Sequence, residues 1–290
     1  MAASKSTPQG HDTAPVYRAA RGIVKANSTC DSPTAMKILW VCGARIQGGA
    51  EQTTLQIAKL LRGRGHAVEV LCPPDSALAE ALTISELPVH PAPLGGSLNL
   101  CAVLAIGRAF QNVTPEIALV TTSHEWVWAS LAPRPAHTRL VLVRHMALPL
   151  PAPVRWLAHR RADAVVAVSR AARDGLVGAG LSPDSIQVIY DCVRFPPRAA
   201  VPTTTDRARA RAKLGSPAPG PCVGFLGGTS AQKGVADVFA AVSDANRVLD
   251  TTNLLVCGHR SADGRSISAL SREYGLEGKV HDSHRRLDSW

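Results

Sequence analysis

Lys37-Ile38-Leu39-Trp40-Val41-Cys42-Gly43-Ala44-Arg45-Ile46-Gln47-Gly48-Gly49-Ala50-Glu51 opens the stretch that decides the fold, which runs on to Cys72-Pro73-Pro74-Asp75. Ile38 to Cys42 is a continuous apolar run, the signature of a strand buried on both faces. Gly43 ends it, and a loop carrying Gly48 and Gly49 follows. Glu51 then opens a helical pattern, with Leu55, Ala58, Leu61 and partly Ile57 on one face. Gly63 and Gly65 stop the helix. Ala67 to Cys72 is a second apolar run, closed by Pro73-Pro74. Strand, glycine loop, helix, strand is one parallel βαβ unit.

The loop sits at the carboxyl end of the first strand, where open α/β sheets bind ligands. Its glycines let backbone approach a ligand, and a helix start offers N–H groups and positive dipole to a phosphate. A turn shaped for chain geometry alone reads the same way. Glu51, too, stabilises the helix dipole without touching a ligand. A dinucleotide site fits less well. Gly43 to Gly49 does not spell G-x-G-x-x-G, and Asp75 comes three residues late for a ribose acid.

Outward from this unit, 290 residues suggest about two domains. With 46% hydrophobic and 19% charged residues the chain can bury a sizeable core. No run reaches the roughly 18–20 apolar residues of a membrane span. Net charge is +10, which suits an anionic partner. Only 4% of residues are aromatic, so the interleaved rings of a nucleic-acid surface are missing and no nucleic-acid partner is expected. The 7 cysteines include no C-x-x-C pair. Cys42, Cys72, Cys222 and Cys257 lie in or beside apolar runs, as small hydrophobes do. This predicts a reducing cytoplasm, no disulfides and no zinc.

Residues 1–36, rich in Ala, Ser, Thr and Pro, read as a disordered leader or an upstream extension before Met36. After the opening unit, Ser76–Leu82 reads as a helix and Leu87–His90 as a short strand. Leu98–Phe110 is helical, Glu116–Thr121 a strand, Trp126–Leu131 a short helix and Arg139–Val143 a strand ending at Arg144-His145. Val154–Arg161 reads as a basic amphipathic helix, Asp163–Val168 as a strand, Ser169 as a helix cap and Ile186–Ile189 as a strand. Strands alternating with helices over 37–193 make a parallel sheet covered on both faces. Prolines at 196, 197, 202, 217 and 219 mark 194–220 as a linker around a short basic helix. Over 221–290 the pattern returns: strand Cys222–Leu226, a loop from Gly227 to Gly234 carrying Lys233, helix Val235–Leu249, strand Leu254–Cys257, helix Ile267–Tyr274 and a further strand from Lys279. Two such domains with facing carboxyl-end loops make a cleft.

Taken in order, Gly48-Gly49-Ala50-Glu51, Gly65-His66-Ala67-Val68-Glu69-Val70, Ala162-Asp163-Ala164-Val165-Val166-Ala167-Val168-Ser169 and Gly224-Phe225-Leu226-Gly227 with Gln232-Lys233-Gly234-Val235 resemble the retaining, nucleotide-sugar-dependent glycosyltransferases of the GT-B fold. The resemblance implies an α/β architecture of two Rossmann-like domains, the second incomplete here, with the donor between them. It implies that Gly48, Gly49 and Glu51 lie near the donor diphosphate. Gly227, Gly228 and Lys233 form the second donor loop, and Lys233 serves as a point charge for phosphate. His145 best matches the family's catalytic histidine near the reacting sugar, and His124 is the second match, a contact for sugar or acceptor. No metal or other cofactor is implied. The partners are a nucleotide-sugar donor, a saccharide, lipid or small-molecule acceptor, and, from Arg155, His159, Arg160 and Arg161 beside Trp156 and Leu157, the inner face of an anionic membrane.

Three departures accompany the resemblance. Gly228 stands where the family carries an arginine. Asp191-Cys192 stands where the family's linker loop has Asn-Gly. The family's second domain continues past this chain's last residue with a Glu-x7-Glu stretch, so a truncated and inactive chain is one expectation. A non-catalytic nucleotide-sugar-binding or interaction protein is the alternative.

Overall fold

The computed structural model describes residues 34–45, 48–96, 99–147, 150–191, 203–215, 220–249, 251–258 and 266–283. The leader expected over 1–36 lies outside them up to residue 33, as do Cys192 and most of the linker.

Seven parallel strands form the first sheet in the order β3-β2-β1-β4-β5-β6-β7. They are β1 (Lys37–Val41), β2 (Ala67–Cys72), β3 (Val89–Pro91), β4 (Ile117–Val120), β5 (Arg139–Arg144), β6 (Ala164–Ala167) and β7 (Ile186–Val188). The connecting helices are α1 (Gly49–Arg62), α2 (Ala77–Ile84), α3 (Leu100–Val113), α4 (Ser123–Leu131), α5 (Ala152–Arg161) and α6 (Arg170–Gly178). The opening apolar run explains the two faces. Leu39 and Val41 pack into the core that α3, α4, α5 and α6 cover, while Ile38, Trp40 and Cys42 pack into the core under α1 and α2. Alternate side chains of a strand point to opposite faces, so a strand apolar throughout must be covered twice. Strand order reverses at β1, which pairs with β2 on one side and β4 on the other. A crevice opens at the carboxyl ends of such a pair.

Several boundaries differ from the sequence reading for local reasons. Helix α3 begins at Leu100 because Asn99 Oδ1 accepts the Ala102 N–H at 3.0 Å, and it runs to Val113, where Thr114 turns left-handed at φ 47°. Helix α4 begins at Ser123, three residues before the expected start, so His124 and Glu125 occupy its first turn. Ser76 and Ser169 cap α2 and α6 through their side-chain oxygens. Helix α5 is basic in its last turn, as expected, but it is not amphipathic in the expected sense. Its one fully buried residue is the small Ala158, and its largest apolar side chain, Trp156, faces outward.

Helix α7 (Thr204–Lys213) buries no side chain. The second sheet, all parallel, has the order β10-β9-β8, from β8 (Cys222–Leu226), β9 (Asn253–Cys257) and β10 (Val280–Ser283). Helices α8 (Val235–Leu249) and α9 (Ile267–Glu273) pack Val235, Phe239, Val242, Ile267 and Leu270 against β9 residues Leu254 and Val256. Among the described residues no strand pairs with the second edge of β8, and Val223 and Leu226 there are exposed.

Candidate functional site

Every predicted site residue of the first sheet lies at its carboxyl edge. The loop after β1 is stiffened by two carboxyls. Glu51, buried in the first turn of α1, accepts the Gly48 N–H at 2.6 Å. One of the N–H groups expected to meet a phosphate is therefore already engaged from within the helix. Gly49, exposed and with open space where a side chain would stand, leaves the next turn of backbone accessible. The second carboxyl is Glu125, only 2% exposed, which leans against Gly43. Burial raises its pKa, while its own backbone N–H and the neighbouring His124 pull the other way. Cys42, beneath the same loop, is likewise raised by burial, against hydrogen bonding from Thr121.

At the end of β5, Arg144 is buried and donates from Nη1 to Ser123 Oγ at 2.5 Å, joining β5 to the first turn of α4. Burial lowers its guanidinium pKa. His145, the next residue, sets Nδ1 3.3 Å from Asp191 Oδ2, and its Nε2 is buried with no hydrogen-bond partner among the described residues. His124 is exposed on α4. Within the loop after β1, Arg45 pairs with Asp75 at 3.0 and 2.8 Å across the ends of β1 and β2. The pair borders an open depression of about 690 Å³ that also takes in Ser76, Glu80 and the exposed Ile84.

The second sheet presents its own glycine loop at its carboxyl edge. Gly227 N donates to Cys257 O at 3.0 Å, tying the ends of β8 and β9 together. Gly258 closes this contact. Its φ is +152°, and a Cβ there would stand 2.2 Å from Gly227 O, so no other residue fits. Gly228 follows, then a buried Thr229, and a single 3-10 turn (Ala231–Lys233) delivers the exposed Lys233 to the start of α8. Cation, glycine backbone and helix N-terminus thus share one edge, an arrangement suited to a phosphate. Among the described residues no three His, Cys, Asp or Glu side chains converge as metal ligands, all described cysteines are free, and no helix is long and apolar enough to cross a membrane.

The sequence reading missed Glu125, Arg144, Asp191 and Gly258 as parts of these edges. Arg144 had a local signal, an arginine closing the apolar run 140–143. Asp191 was noted only as a departure from the family's linker loop.

HepE from Anabaena, in complex with UDP and glucose, superposes with a TM-score of 0.67 at 23% identity, over 87% of this chain and 70% of that one. A glycosyltransferase from Rickettsia africae gives 0.64 at 17% identity, over 88% and 70%. The lipopolysaccharide outer core galactosyltransferase WaaB gives 0.56 at 17% identity, over 85% and 67%. These likenesses establish the GT-B fold. No curated protein sequence matches the chain. The model of Glycosyltransferase Family 4 matches residues 47–194, more than half of the 290, and the chain belongs to that family.

Proposed function

We propose that the protein binds a nucleotide-diphosphate sugar and transfers its sugar, with retention, to a saccharide, lipid or small-molecule acceptor. The observation that carries this reading is the edge of the second sheet. Lys233 stands at the start of α8 beside a loop whose glycines 227 and 258 are in backbone contact. A diphosphate there is met by a point charge, by backbone N–H groups and by a helix dipole, and the same groups stabilise it as a leaving group. UDP is the donor half to try first, because HepE is crystallised with UDP and with UDP-glucose. Gly48, Gly49 and Glu51 form the opposing loop in this reading, and His145 stands near the reacting sugar with His124 beyond it. The open depression beside Arg45 and Asp75 offers a charged pair to a hydroxyl-bearing acceptor.

The reaction takes place in the cytoplasm, at the inner face of an anionic membrane. Trp156 is 58% exposed, with the Arg160 guanidinium 5.3 Å from its ring centroid, and α3 exposes Leu100 and Leu104 on the same side of the sheet. Aromatic, aliphatic and basic groups together suit a lipid interface. No metal or other cofactor is required, since charge on the leaving group is met by Lys233 and backbone.

One observation favours a second reading. Gly228 supplies no side chain where a second cation would complete the diphosphate site, so a donor-binding protein without turnover is the competitor. Calorimetric titration with UDP, followed by incubation with UDP-glucose and assay for released UDP, separates the two. Binding with release supports transfer, binding without release supports the competitor, and no binding of UDP or of other nucleoside diphosphates removes both.

A further inference from the structure

His145 and Asp191 are brought together across the end of a strand that belongs to neither. His145 follows β5, Asp191 lies three residues past the end of β7, and β6 runs between them. In register, Arg144 is opposite Ala167 and Ala167 opposite Val188. Strands stand about 4.8 Å apart, so the chain after β7 must turn back over the end of β6 for Asp191 to reach the ring. The turn starts where Ile189 N donates to Ala167 O at 3.0 Å, at the last residue of β6.

We infer that Asp191 is a positioning residue for His145, holding the imidazole through Nδ1 so that Nε2 is offered as a hydrogen-bond acceptor to a hydroxyl group of the sugar substrate. A carboxylate only accepts hydrogen bonds. With Asp191 Oδ2 3.3 Å from Nδ1, the proton of the neutral ring belongs on Nδ1. Nε2 then carries a lone pair. It is buried, and no group among the described residues donates to it. A buried acceptor left unpaired is costly, and a sugar hydroxyl is the donor that relieves it. Asp191 itself is 37% exposed, so its effect is to choose the tautomer and the ring angle more than to add charge in a dry site. At 3.3 Å the pair is an ion-pair contact that falls short of hydrogen-bond geometry, as catalytic contacts often do before a substrate is bound. The inference rests on the placement of His145 near the reacting sugar.

The test is the tautomer of His145 in the full chain labelled with nitrogen-15 histidine, read from long-range proton–nitrogen correlations. His145→Gln identifies the resonance among the 10 histidines. The Nδ1–H tautomer is expected in the parent and in Asp191→Asn, whose amide oxygen still accepts. Asp191→Ala is expected to give a mixture of tautomers at an unchanged melting temperature. An Nε2–H tautomer in the parent, or an unaltered tautomer in Asp191→Ala, overturns the inference. The readout needs no turnover. A failed UDP titration on the same sample therefore strikes the donor reading, while the tautomers decide the role of Asp191.

Discussion

The carboxyl of Glu125 occupies the space that any side chain at Gly43 would need. Its Oε1 stands 1.8 Å from where a Cβ on residue 43 would be. Gly43, the second residue past β1, and the first turn of α4 are thereby locked together, and the loop that follows inherits its position. Gly43→Ala forces that carboxyl aside in a packed site. It is expected to lose about 1–3 kcal/mol, measured by urea denaturation, whereas Gly49→Ala, with open space above it, is expected to lose under about 1 kcal/mol. Equal losses would show that Glu125 does not constrain the loop.

Glu125 also makes stability depend on pH. Burial holds its carboxyl above the ordinary 4.5, so the native state binds that proton more tightly than the unfolded chain. The contribution is complete below the unfolded pKa and is lost as pH rises through the folded one. Glu125→Gln keeps a neutral side chain of the same shape. The stability difference between Glu125→Gln and the parent is expected to grow in favour of the variant from pH 4.5 toward neutrality. Parallel pH curves would rule out a buried, proton-holding Glu125.

Gly258→Ala tests the junction of β8 and β9. A methyl group there meets Gly227 O at 2.2 Å from a backbone that L-residues rarely adopt. Loss of about 2 kcal/mol or more is expected, together with loss of UDP binding, because Gly227 is displaced. Retained UDP affinity in a folded Gly258→Ala protein would separate this junction from the donor loop.

Lys233→Ala removes an exposed cation that packs against nothing in the core. Thermal stability is expected to stay within about 0.5 kcal/mol of the parent. UDP affinity is expected to fall roughly ten- to a hundredfold, the worth of one charge-assisted contact. Unchanged affinity would mean that the diphosphate is held elsewhere.

Binding to phosphatidylcholine vesicles that contain phosphatidylglycerol is expected at low salt, and binding to pure phosphatidylcholine is not. Arg160→Glu is expected to weaken it by roughly fivefold or more, at about 1 kcal/mol per basic charge near the surface, and Trp156→Ala is expected to weaken it too. Co-sedimentation that ignores both substitutions would assign the contact to another basic surface, such as α7.

The amino-acid sequence alone determined the strands, the two glycine loops and the repetition of one βαβ plan. Those features rest on local physics: an apolar run is buried on both faces, and glycine and proline end it. It determined the family as well, because the matching motifs lie along the chain in order. Helix ends were less legible, since the start of α3 is set by the single Asn99 cap and not by periodicity, and α4 begins at Ser123 without any side-chain cap. Only the tertiary structure decided which residues meet. Glu125 against Gly43, Gly258 against Gly227 and Asp191 beside His145 are contacts between residues far apart in the chain, made where parallel strands bring their carboxyl ends to one edge. No local pattern encodes such a pair, because its free energy depends on strand order and on the burial that the assembled sheet imposes.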